Sequence, residues 1–125
     1  MKNPLANIAG YRWFAFWAML VAPTMLAPVL AIEEHVEILT RSDWPAYENG
    51  SNIIALPQVS KIVEKFEENE QVSVEIRYPG GDAGRLWAES LLAWFISFGI
   101  PQQYLSLFPG SGAGDQLAIV LIDRR

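Results

Sequence analysis

Few residues in this chain have the types and spacing that chemistry requires. It contains no cysteine and a single histidine, His35. Without cysteine there is no disulfide framework, no thiolate zinc or iron–sulfur site and no thiol nucleophile. His35 follows Glu33 and Glu34, but a metal ion asks for three or four converging ligands, so this trio reads as a solvated linker. The run Gly110-Ser111-Gly112-Ala113-Gly114-Asp115 has the glycine content of a phosphate-cradling loop. Such a loop opens onto a helix N-terminus and brings a lysine. This one leads into an apolar, strand-like stretch, and the next basic residue is Arg124; it reads as a hairpin turn. Glu64, Glu67, Glu68 and Glu70 line the wet side of a helical pattern rather than forming a catalytic pair. No nucleophile, base and orienting group come together. The chain therefore reads as non-enzymatic, with no catalytic residue, no cofactor and no metal.

Composition narrows the partners. The 125 residues carry 14 acidic against 9 basic side chains, with no basic run, which argues against nucleic acid. A hydrophobic share of 51% excludes a disordered chain, and the length suits one domain. The apolar residues are unevenly spread. From Trp13 to Ile32 the sequence WFAFWAMLVAPTMLAPVLAI has no charge, and a helix of that length spans a hydrocarbon core of about 30 Å. Tyr11, Trp13 and Trp17, with Arg12, stand where interface anchors belong. The expectation is thus a cytoplasmic N-terminus over 1–12, a transmembrane helix (or uncleaved signal anchor) over 13–32, and a periplasmic domain over 33–125. The lipid bilayer of a bacterial inner membrane would be its first partner. A cleaved secretory signal ending at Val29-Leu30-Ala31 is the competing reading, against which the apolar run is long.

Beyond residue 32 the pattern is α+β. Val36 to Leu39 suggests a short strand. From Pro57 to Glu70, Leu56, Val59, Ile62, Val63 and Phe66 share one helical face, with Lys61, Glu64, Lys65 and Glu68 opposite. Val72, Val74, Ile76 and Tyr78 alternate with Ser73, Glu75 and Arg77, as in a half-buried strand. A second helix is expected from Ala83 to Phe98, stopped by Gly99 and Pro101. Tyr104 to Phe108 and Leu117 to Ile122 complete the order strand–helix–strand–helix–strand–strand. That order predicts a two-layer sandwich, a mixed sheet with two helices on one face.

Several local features resemble the OmpA/MotB-type periplasmic domain, in degenerate form. They are Tyr47-Glu48-Asn49-Gly50-Ser51 before the first helix, the strand Val72 to Ile76, Phe98-Gly99-Ile100-Pro101 after the second helix, and Pro109-Gly110-Ser111-Gly112. The resemblance implies binding of the peptidoglycan stem by an aspartate and an arginine. Asp82 lies near the expected aspartate but is offset. Leu92 stands where the arginine is expected, leaving Arg85 as a partial substitute. A bidentate carboxylate clamp depends on a fixed guanidinium position, so Asp82 and Arg85 are the candidate ligand-binding pair of an impaired site. Ion-driven motor subunits of the MotB, ExbD and TolR kinds are excluded by the absence of any ionisable residue in 13–32.

One feature exceeds what a two-layer domain needs. In the last strand Leu117, Ile119 and Leu121 face one way, and Ala118, Val120 and Ile122, equally apolar, face the other. The second helix likewise carries Leu86, Leu92 and Ile96 on its reverse side. Either a covering segment of the chain or a partner protein is required. Leu86, Leu92, Ile96, Ala118, Val120 and Ile122 are therefore the candidate partner interface. The function they imply is an accessory or assembly subunit of a larger membrane-protein complex. The alternatives are a peptidoglycan-binding module or a secretion or pilus assembly component.

Overall fold

The structure is a computed structural model, which describes residues 34–124. The first strand, β1 (Glu34–Thr40), leads through a single 3-10 turn at Arg41–Asp43 to a short helix α1 (Gly50–Ile54). Asn49 caps α1, its side-chain oxygen accepting from the Asn52 N–H at 2.7 Å. Helix α2 (Pro57–Glu68) opens on Pro57, where a missing donor costs nothing. It buries the stripe Val59, Ile62, Val63 and Phe66. Strand β2 (Val72–Tyr78), helix α3 (Asp82–Ser97), a 3-10 turn at Gln102–Tyr104, β3 (Leu105–Pro109) and β4 (Gln116–Asp123) follow.

Helix α3 ends where the left-handed conformation of Gly99 (φ 108°) turns the chain. The Ile100 N–H reaches back to the Phe95 carbonyl, and that of Gly99 to Ile96, both at 3.0 Å. Two orphan carbonyls are satisfied this way, and Ile100 is delivered to the core.

The four strands form one mixed sheet in the order β1-β4-β2-β3. β4 runs antiparallel to both neighbours, while β2 and β3 are parallel and joined by the α3 crossover. Register sorts the side chains into two faces. One carries Leu39, Val72, Val74, Ile76, Leu105, Leu117, Ile119 and Leu121, which form a single buried cluster with Ile53, the α2 stripe, and Trp87, Ala88, Leu91 and Phe95 of α3. Both long helices therefore pack on that face. Burying each such aliphatic side chain contributes about 1.5–3 kcal/mol, so this layer dominates stability. Beyond the end of β4, Arg124 lies over the Tyr104 ring at 3.9 Å and donates to the Val72 carbonyl at 3.1 Å.

The expectation of a single-pass transmembrane helix is corrected by this structure. No helix among the described residues is long and apolar enough to cross a membrane. The longest, α3, has 16 residues and carries Asp82, Arg85 and Glu89; at 1.5 Å per residue it reaches about 24 Å, short of a bilayer core. Residues 13–32, and with them Tyr11, Arg12, Trp13 and Trp17, lie outside the described residues. Smaller differences concern element ends: α2 stops at Glu68, and α1 was not expected at all.

Gly84 sets how closely α3 approaches the end of β2. A Cβ there would collide with the Pro79 carbonyl oxygen, whereas one at Gly80 would meet nothing. Gly84→Ala should lower unfolding stability by about 1–3 kcal/mol, and Gly80→Ala should stay within about 0.5 kcal/mol of wild type. Urea unfolding of the two variants measures the contrast.

Candidate functional site

The face of the sheet away from the helices is built by the same period-2 rule that builds the core. Val36 lies opposite Val120, and Ile38 opposite Ala118. Ile122 extends the β4 row beside Ser73. Val36 and Ile38 remain 49% and 41% exposed. On the other side of the β4 row stand Glu75 and Arg77, paired at 2.9 Å, and beyond them Phe108, opposite Arg77 in the parallel ladder. The result is an apolar block over β1 and β4, bordered by one ion pair and an exposed phenylalanine.

The two apolar trios expected from the sequence lie on different surfaces. Ala118, Val120 and Ile122 point to this face, where Ala118 and Val120 are buried and Ile122 is half-buried. Leu86 and Ile96 are exposed on the outer side of α3, across the thickness of the domain, and Leu92 packs against the core. Sequence reasoning did not include Val36, Ile38 and Phe108. Alternation within Glu34–Thr40 is the available signal for the first two, over a strand longer than the expected Val36 to Leu39.

A second concavity lies at the ends of the strands. About 200 Å³ in volume, it is lined by Arg41 after β1, Pro79 and Gly80 after β2, Ala83, Gly84 and Trp87 of α3, and Gly114 and Asp115 before β4. The Arg41 guanidinium sits 4.4 Å over the Trp87 ring, and Trp44 meets the same ring edge-on at 6.0 Å. The Trp87 indole N–H is buried without a hydrogen-bond acceptor. Small-molecule sites usually occupy about 300–1,000 Å³, so this space is small for one. Asp82 and Arg85 do not line it. Arg85 points along the helix to Glu89, Nη1 to Oε2 at 2.5 Å, and so does not form a clamp with Asp82.

No group of metal-ligating side chains converges among the described residues. His35 turns to Glu37 instead, Nε2 to Oε2 at 2.5 Å, with Lys61 3.8 Å from the same oxygen. Gly110 to Asp115 joins β3 to β4 with positive φ at Gly110 and Gly112, but not as the expected hairpin turn, because β2 stands between these two strands.

A polar cluster missed in sequence fastens the long β1–α1 loop to α3. The Glu48 carboxylate accepts from the Ser90 hydroxyl at 2.8 Å and from the indole N–H groups of Trp94 at 2.9 Å and Trp44 at 3.1 Å. The Trp94 bond foremost, with those from Ser90 and Trp44, holds its pKa below the usual glutamate range despite some desolvation. Contacts 42 and 46 residues apart leave no local sequence signal.

No protein-family model matches this chain, and no curated protein matches it significantly.

A carboxylate with a depressed folded-state pKa stabilises the fold above the ordinary glutamate range of about 4.3. That contribution is lost as pH falls through the folded-state value. Wild type should therefore be more stable than Glu48→Gln at pH 7, and the gap should close as the pH is lowered below about 4. Chemical unfolding of both proteins across that range reads the gap directly.

Proposed function

We propose that this chain is a non-enzymatic docking module that attaches to a larger protein assembly through the open face of its sheet. The observation that carries this reading is that Val36, Ile38 and Phe108 are each close to half exposed on one sheet face, beside a β4 row in which Ala118 and Val120 are already buried. Placing such side chains against water leaves favourable burial unused, at roughly 25 cal/mol per Å² of apolar area. A protein surface of matching apolar character recovers it. The partner's contact surface is therefore apolar at its centre, with polar groups able to meet Glu75 and Arg77 at the border.

In this reading the domain is a degenerate relative of the OmpA/MotB type that has kept the scaffold and lost the ligand clamp. Peptidoglycan binding through Asp82 and Arg85 has weaker support, because Arg85 is engaged by Glu89 and turned away from Asp82. The separation of the two apolar surfaces makes the reading testable. Ile38→Glu and Phe108→Glu, at opposite ends of the open face, should each abolish co-purification of the assembly while leaving the melting temperature near wild type. Leu86→Glu and Ile96→Glu, on the outer side of α3, should retain it. Loss of the assembly with the α3 variants and retention with the sheet variants would overturn the proposal.

A further inference from the structure

β1 is an edge strand, paired on one side only among the described residues. Free edges invite pairing with another strand and are commonly blunted by lysine, proline or bulges. Residues 34–40 pair regularly with β4 and contain no lysine, proline or bulge, although Glu34 and Glu37 bring charge to the strand. Which backbone groups point outward follows from the ladder. The Arg41 N–H donates to the Asp115 carbonyl at 2.7 Å, one step beyond the Thr40–Gln116 pair. Hydrogen-bonded pairs alternate along an antiparallel ladder, so residues 39, 37 and 35 bond to β4. Residues 34, 36, 38 and 40 direct their N–H and C=O groups to the free side. In agreement, the Ile38 carbonyl accepts from Gln58 Nε2 at 3.1 Å, and the Thr40 N–H donates to Asp43 at 3.3 Å.

The end of the edge near Thr40 is thus occupied from within the chain, while residues 34 and 36 have no edge partner among the described residues. The Ile38 carbonyl retains a second lone pair. We infer that the occupant of this edge is a second copy of the chain, its β1 running antiparallel to the first about a two-fold axis at Val36.

Register follows from charge and from the occupied end. A two-fold axis perpendicular to a continuous sheet keeps each side chain on its own face, so the axis must pass through a residue position. Centred on Glu37, the pairing sets two glutamates directly opposite, which is unfavourable. Centred on Ile38, it requires the Thr40 N–H already given to Asp43. Centred on Val36, it uses only residues 34, 36 and 38. It then sets His35 opposite Glu37 of the second copy, and Glu37 opposite its His35, with Lys61 adding positive charge beside each Glu37. The valines meet at the axis, so the interface is self-complementary, as an isologous contact requires. The open apolar faces of the two copies become one surface on the same side of an eight-stranded sheet. This dimer rests on the edge of β1 and not on the docking function proposed above.

The chain has no cysteine of its own, so single introduced thiols report the register. In Val36→Cys the two Cα atoms would lie about 5.5 Å apart as a hydrogen-bonded pair, within disulfide range. In Ile38→Cys, at similar exposure, they would be about 14 Å apart, four residues along the strand. Under mild oxidation of the full chain, most of the Val36→Cys protein should migrate as a disulfide-linked dimer and the Ile38→Cys protein as monomer. Adding His35→Glu to Val36→Cys should suppress the crosslink, and adding Glu37→His as well should restore it. Monomeric Val36→Cys with an unchanged melting curve overturns the inference, as does equal crosslinking at both positions. Neither result bears on Phe108→Glu, which probes the docking face away from this edge.

Discussion

The position of β4 constrains everything else in this domain. The last strand in sequence is inserted between β1 and β2, antiparallel to both, and it is apolar on two sides. Among the described residues, one of those sides receives helices. Leu117, Ile119 and Leu121 meet α2 and α3 in the core; among the described residues Ala118, Val120 and Ile122 stand beside β1 and β2. Because the side-chain period of a strand is two, a shift of register by one residue would exchange these rows. Both rows would still be apolar after such a slip. Register is therefore fixed less by β4 itself than by its partners, where Leu39, Val74 and Ile76 tolerate only the helix side.

The helices are held to that side by devices of different kinds. Gly84 allows α3 to close on the end of β2, and Gly99 ends the helix so that Ile100 enters the core. Glu48 ties the β1–α1 loop to α3 through two indoles and a hydroxyl, which keeps Trp44 beside Trp87 and Arg41 over its ring. These contacts assemble the strand-end cavity, although its size and the diversion of Arg85 leave it without an evident ligand. Polar order concentrates at that end and on the helix side. The open face, in contrast, has one ion pair and no covering element among the described residues.

Much of this was legible in the residues, and the remainder has physical reasons for being hidden. The alternation from Val72 to Tyr78 and the apolar stripe of α2 identified their elements because one face of each is wet. Gly99 and Pro101 marked the end of α3. The five-residue helix α1 is too short for a periodic signal and is announced only by the Asn49 cap. The charge-free run 13–32 suggested a membrane helix from composition alone, and no described helix has that character. The apolar surplus in β4 was visible, but its location was not. Strand order decides whether Ala118, Val120 and Ile122 lie beside Leu86 and Ile96 or across the domain from them, and non-local pairing carries no local signature. The clamp on Glu48 was hidden for the same reason.

In the proposed function the open sheet face is the surface through which this chain meets other proteins. Hydroxyl-radical footprinting tests this most directly, comparing the purified full chain with the same chain in its native assembly. Val36, Ile38 and Phe108 should react in the purified chain and be protected in the assembly, while Leu86 and Ile96 react equally in both. Protection of Leu86 and Ile96, with Val36, Ile38 and Phe108 as reactive as before, would contradict it.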